Sequence, residues 1–120
     1  MIDDLYTIRK IDTGSNGDDY VIGLNPSSVI YSAHFPSLPV TPGACLLEIA
    51  RRAASCSAGR DLSVKCVRNV KFLKMVDPRL TGELMLHCEL SPLPQSEGFS
   101  LAATISDENA LCVKAQMDLE

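Results

Sequence analysis

The stretch HFPSLPVTPGACLLEIA, from His34 to Ala50, holds three groups whose types suit acid–base chemistry next to a carbonyl. Proton transfer near neutral pH calls first on histidine, and the chain has two, His34 and His87. His34 stands beside Phe35-Pro36 at the end of an extended run, a position that can face a cleft and that also suits a structural histidine. Glu48 follows fourteen residues later among Leu46, Leu47, Ile49 and Ala50. A carboxylate in an apolar wall resists ionisation and can hold a proton for use as a general acid. The alternative is an i,i+4 ion pair with Arg52, worth a few tenths of a kcal/mol. Gly43 is the third group: a helix N-terminus offers unsatisfied N–H groups, and a residue without Cβ lets a ligand reach them. Gly43 can equally serve tight packing. A base, a proton donor and an N–H for a developing oxyanion together suit β-elimination of water from a 3-hydroxyacyl thioester, a reaction that requires no metal or redox cofactor.

These groups need elements to position them. Thr41 stands where an N-cap would be, with Pro42 at the first helical position, so a helix is predicted from there to about Ala58, where Gly59 offers a C-cap. Its first half, Ala44 to Ala50, is apolar nearly all round and should be buried on most sides. Before it, Leu5–Asp12 and Tyr20–Leu24 read as strands joined by a hairpin turn at Asn16-Gly17, and Ser28–Phe35 reads as extended. The turn region resembles a calcium loop only superficially, because Gly14 and Gly23 occupy ligand places. After the helix, Val64–Leu73, Gly82–Leu90, Gly98–Ser106 and Ala110–Leu119 read as strands. Leu84, Leu86, Cys88 and Leu90 alternate with polar partners, as do Phe99, Leu101, Ala103 and Ile105, and then Leu111, Val113, Ala115, Met117 and Leu119. His87 falls on the polar side of its strand and reads as a surface residue. One helix packed on an antiparallel sheet is an α+β arrangement.

At 120 residues, 46% hydrophobic and 22% charged, residues 1–120 read as one folded domain. No apolar run is long enough to span a membrane, and the N-terminus lacks the pattern of a signal peptide, so a cytoplasmic location is expected. Five cysteines without a CxxC pair read as free thiols, mostly small core fillers, rather than a disulfide framework or a zinc site. The net charge of −4 conceals a split: residues 51–79 carry +6 and the remainder −10. That basic segment could dock an acidic partner or be a solvated face. Nucleic acid is disfavoured by the negative overall charge, the absence of tryptophan and the lack of regular interleaving of aromatics with the basic residues.

The pattern H-F-P-x-x-P-V-x-P-G, met by His34, Phe35, Pro36, Pro39, Val40, Pro42 and Gly43 and followed by Glu48, resembles that of 3-hydroxyacyl-(acyl-carrier-protein) dehydratases of the hotdog fold, in which an antiparallel sheet wraps one central buried helix. The later VKFLKMVDPRLTGEL is similar to another strand of that family, and the resemblance covers roughly residues 20–90. It implies that His34 is the base, Glu48 the acid and the Gly43 N–H the oxyanion donor, with Val40 beside it in the substrate-binding set. It also implies a homodimer or an assembly of dimers, with His34 of one subunit near Glu48 of the other. The family's substrate arrives on the phosphopantetheine of an acidic acyl carrier protein, for which the basic segment would be a docking surface; no other cofactor is implied. The chain departs from the pattern at Ser37, Thr41 and Arg52. Arg52 stands where the family commonly has glutamine, one turn from the presumed acid, and is expected to modulate it. Two other readings use the same scaffold: a hotdog thioesterase, in which a carboxylate activates water, and a non-catalytic acyl- or carrier-binding subunit.

Overall fold

Leu84, Leu86 and Cys88 alternate with Glu83, Met85 and His87 along one extended segment, and the first three are buried while the others reach the solvent side. The same two-residue period recurs through Tyr20, Ile22 and Leu24 and through Leu101, Ala103 and Ile105, so the strands share one apolar face and one wetter face. A computed structural model of the chain describes residues 4–33, 40–94 and 96–120. The elements are β1 (Tyr6–Gly14), β2 (Gly17–Leu24), α1 (Val29–Ala33), α2 (Gly43–Ala58), β3 (Val64–Phe72), β4 (Glu83–Pro92), β5 (Phe99–Ser106) and β6 (Leu111–Leu119). The six strands form one antiparallel sheet in the order β1-β2-β4-β5-β6-β3. Helix α2 lies on its apolar face and presses Leu46, Ile49, Ala50, Ala53 and Ala54 against it.

The four late strands fall within a residue or two of the expected bounds, because strict alternation leaves little freedom in register. The first hairpin also forms, with a different turn. Gly14 pairs with Gly17, so the two loop residues are Ser15 and Asn16 rather than Asn16-Gly17. Gly17 instead opens β2 at φ 119°, where an added Cβ would lie 2.4 Å from the Cys88 carbonyl oxygen. A side chain there would collide with backbone, so glycine is required by both space and φ.

The described part of Ser28–Phe35 is not a strand. Val29–Ala33 is a short helix, and residues 34 and 35 lie outside the described residues. The Ser28 hydroxyl explains the change, since it accepts from the Ile30 N–H at 3.3 Å and donates to Asp4 at 2.7 Å, which starts a helical turn. Helix α2 ends as expected, with Gly59 at φ 73° and its N–H on the Ser55 carbonyl. Its start is shifted: Pro42, not Thr41, is the N-cap, and no side chain caps it. The Thr41 hydroxyl is buried and shares a 2.7 Å hydrogen bond with the Tyr31 hydroxyl, while the Thr41 N–H donates to Val76 at 2.8 Å. A tertiary partner has displaced the local one. Among the described residues, the first half of α2 is fully covered on its sheet side and less so elsewhere: Ala44 is exposed, and Cys45, Leu47 and Glu48 are half-buried. Of the cysteines, Cys88 and Cys112 are buried fillers, whereas Cys56 and Cys66 are exposed; all five are free.

Ile49 has no exposed surface and seats α2 on the sheet. Ile49→Ala is expected to lower the unfolding free energy by about 2–5 kcal/mol through lost burial and a residual cavity, read as a shifted urea midpoint at an unchanged m-value.

Candidate functional site

The start of α2 is set by Pro42, whose carbonyl accepts from the N–H groups of Cys45 (3.0 Å) and Leu46 (3.2 Å). The Gly43 N–H lies in the first turn, where no earlier helical carbonyl is available to it. Around it the chain leaves a cavity of about 370 Å³, lined by Val40, Gly43, Leu46, Phe72 and Met75 among others. The Thr41–Val76 and Thr41–Tyr31 hydrogen bonds hold the wall of this cavity. Burial of Tyr31 pushes its phenol pKa up, so it remains a neutral hydrogen-bonding group there. The Phe72 ring rests on Gly43: an added Cβ would meet Phe72 Cζ at 2.7 Å and Cε1 at 2.9 Å. Close packing is therefore one reason for glycine at this position, and the approach it opens is used by a ring of the same chain.

Val40 and Gly43 thus share one cavity, and Glu48 sits on the following turn, outside its lining. His34 lies outside the described residues. The surroundings of Glu48 differ from the apolar wall expected of it. Its side chain keeps 32% of its exposure, on the face of α2 turned away from the sheet, and it is ion-paired. The guanidinium that holds it belongs to Arg51, not Arg52. Arg51 Nε donates to Glu48 Oε1 at 2.9 Å and Oε2 at 3.0 Å, and Nη2 also donates to Oε1. Hydrogen bonds from one guanidinium to both oxygens make this a bidentate pair, which fixes the carboxylate's orientation. The pairing raises the Arg51 pKa still further above its ordinary value. Arg52, the residue expected to modulate Glu48, places its guanidinium 6.0 Å from the centre of the Tyr6 ring. Cys45, one turn before, has its thiol pKa raised by burial and secondarily by Glu48.

The pairing with Arg51 was not expected from the sequence, which offered Arg52 as the partner, although i,i+3 spacing was a usable signal. On a helix, residues three and four positions on flank the same side chain from opposite sides, so spacing alone gives Arg51 and Arg52 equal claim. Asp61 and Leu62 decide it, because both bind Arg51.

The basic segment is largely neutralised within the chain. Arg51, Lys65, Arg68, Lys74 and Arg79 each pair with a carboxylate, at Glu48 and Asp61, Glu120, Asp118, Asp107 and Asp77 respectively. This fits a network of local pairs better than one continuous docking field. Among the described residues no group of three His, Cys, Asp or Glu side chains could hold a metal ion, and no helix is long and apolar enough to cross a membrane.

On the opposite face of the sheet, His87 joins the first hairpin to β4. Its Nδ1 lies 2.6 Å from Asp19 Oδ1, and its Nε2 lies 3.0 Å from the Asn16 carbonyl and 3.1 Å from Glu89 Oε1. All three partners are acceptors, so a ring protonated on both nitrogens satisfies them. Asp19 first, then Glu89, raise the His87 pKa above its ordinary value. His87 and Glu89 rim a hollow of about 330 Å³ with Asn69, Lys114 and Gln116.

An antiparallel six-stranded sheet carrying one long helix on one face is the architecture of hotdog proteins, and comparison with known structures supports that class. The dehydratase heterocomplex ApeI:P from Xenorhabdus doucetiae superposes with a TM-score of 0.71 at 17% identity, over 94% of this chain and 97% of that one. A single-site mutant of thioesterase PA1618 from Pseudomonas aeruginosa gives 0.68 at 12% identity, over 93% and 78%. Cj0977, a sigma28-regulated virulence protein from Campylobacter jejuni, gives 0.66 at 12% identity, over 97% and 82%. At these identities the likeness is one of fold. No curated protein matches the sequence. The model of the ApeI-like family, described as ApeI dehydratase, matches residues 13–115, and the chain belongs to that family.

Because the folded His87 pKa is raised, the stability it contributes is fully present below its unfolded value and is lost as pH rises through the folded one. His87→Gln is expected to lower the melting temperature clearly more at pH 6 than at pH 9. Equal losses at the two pH values, or a larger loss at pH 9, would remove this account.

Proposed function

We propose that this protein is a cytoplasmic dehydratase that converts a 3-hydroxyacyl thioester, carried on an acyl carrier protein, to the trans-2-enoyl thioester and water in fatty-acid or polyketide-type acyl synthesis. The observation that carries the reading is the ApeI-like dehydratase match over residues 13–115, a span that contains His34, Gly43 and Glu48. In this reading His34 removes the proton α to the carbonyl. The electron pair moves onto the carbonyl oxygen, which accepts a hydrogen bond from the Gly43 N–H. As the pair returns, the β-hydroxyl leaves with a proton from Glu48. Val40 lines the substrate space beside Gly43. The carrier's phosphopantetheine delivers the acyl group, so no separate cofactor enters.

A homodimer belongs to this reading. Strand β3 pairs with β6 along one edge and ends the sheet on the other, and it presents Val64, Val67 and Phe72 at 44%, 49% and 55% exposure. An open edge with exposed apolar side chains is a template for a second strand. The ApeI:P structure is a heterocomplex, which makes a different partner chain, with this one as catalytic or binding subunit, the competing form of assembly.

The Arg51–Glu48 pair favours a second reading. A Glu48 carboxylate oriented by a guanidinium is a group that can take a proton from water, the chemistry of a thioesterase on the same fold.

The test supplies a 3-hydroxyacyl thioester on carrier protein and follows enoyl thioester and free thiol separately. Wild type should form enoyl product, and His34→Ala and Glu48→Gln should each reduce it by about 10²–10⁴-fold. Free thiol without enoyl product would move the assignment to thioesterase. In light scattering the wild type should show twice the 13.0 kDa mass of one chain, with Val67→Asp shifting it toward the monomer. A wild type at 13.0 kDa would rule out the homodimer.

A further inference from the structure

Arg51 makes more contacts than an ion pair needs. Its Nε and Nη2 hold Glu48, while Nη1 donates to the Leu62 carbonyl at 2.7 Å and to Asp61 Oδ1 at 3.0 Å. All three nitrogens of the fork are used, and the side chain keeps 17% of its exposure. Surface ion pairs between single long side chains hold geometry poorly, but a planar guanidinium anchored on one side fixes the group on its other side.

The anchor itself is fixed. Leu62 is fully buried, and its N–H donates to Ser55 Oγ of α2 at 3.0 Å. The next residue, Ser63, exchanges two backbone hydrogen bonds with Glu120, at 2.8 and 2.9 Å. The 61–63 segment is therefore tied both to α2 and to the end of β6. Through Arg51 the Glu48 carboxylate is referenced to the sheet as well as to its own helix. A half-exposed glutamate with three rotatable bonds would otherwise sample several rotamers.

We infer that Arg51 is a positioning residue for this site: bridging the Leu62 carbonyl and Glu48, it holds the glutamate in the orientation in which it exchanges protons with substrate or water. The inference rests on the reading of Glu48 as a catalytic group and holds for either reaction proposed above. Asp61, 88% exposed, is the weaker of the two anchors. Lysine is a poor replacement, because a single ammonium cannot span both carboxylate oxygens and a carbonyl.

Dehydration and thioester hydrolysis are both measured for wild type, Arg51→Gln, Arg51→Lys, Asp61→Asn, Glu48→Gln and the double variant Glu48→Gln/Arg51→Gln, with urea midpoints to establish folding. Arg51→Gln should lower kcat by about 10–100-fold with KM nearly unchanged, as expected when a reacting group is misplaced rather than removed. Arg51→Lys should recover little of that loss, and Asp61→Asn, which keeps the Leu62 anchor and a surface-exposed site, should lose only a few-fold. In the Glu48→Gln background, Arg51→Gln should cost less than about twofold more, since a residue acting through Glu48 has nothing left to position. Full kcat in folded Arg51→Gln, or the same loss with and without Glu48, overturns the inference and leaves the dehydratase reading intact. Should Arg51→Gln fail to fold, unchanged kcat in both Arg51→Lys and Asp61→Asn overturns it. A wild type inert in both assays overturns the catalytic reading and this inference together.

Discussion

The rotation of α2 on the sheet is the constraint from which the site follows. Leu46, Ile49, Ala50, Ala53 and Ala54 form one buried stripe, and at 3.6 residues per turn that stripe leaves one rotational setting. Turning the helix to bury Glu48 would bring Leu46 and Ile49 toward water. Each such side chain contributes about 1.5–3 kcal/mol on burial, several times what a surface pair returns. The apolar face therefore dictates that Glu48 stands away from the sheet and that Gly43 opens the helix beside Phe72.

Two different physical devices then finish the site. At the helix start, Thr41 is drawn into the interior by Tyr31 and Val76, so Pro42 begins the helix and the first-turn amides border a cavity. On the outward face, Arg51 ties Glu48 to a loop that is itself pinned to β6. One is a packed wall and the other an electrostatic brace. Both draw on residues remote in sequence, Val76 for the first and Leu62 and Glu120 for the second.

The strand pattern was legible because period-2 alternation is a property of the chain itself, and one buried face penalises any slip of register. Leu84–Leu86–Cys88 and Leu101–Ala103–Ile105 stand where their pattern says they should. Local reading failed where a side chain found a partner outside its own segment. Thr41 has the chemistry of an N-cap but binds Tyr31, and Ser28 begins a helical turn where a run of Val, Ile and Tyr suggests a strand.

The residues that could do the chemistry, His34, Gly43 and Glu48, and the single helix that carries two of them are written in the linear sequence, since spacing and residue type suffice to name them. The charge partner of Glu48 is not. Arg51 and Arg52 flank it equally on a helical wheel, and choosing between them took the loop after α2, which brings Asp61 and the Leu62 carbonyl to Arg51, while the guanidinium of Arg52 lies toward the Tyr6 ring. Periodicity is local and survives in one dimension; the partner of a charge depends on which distant backbone is brought beside it, and only the folded chain decides that.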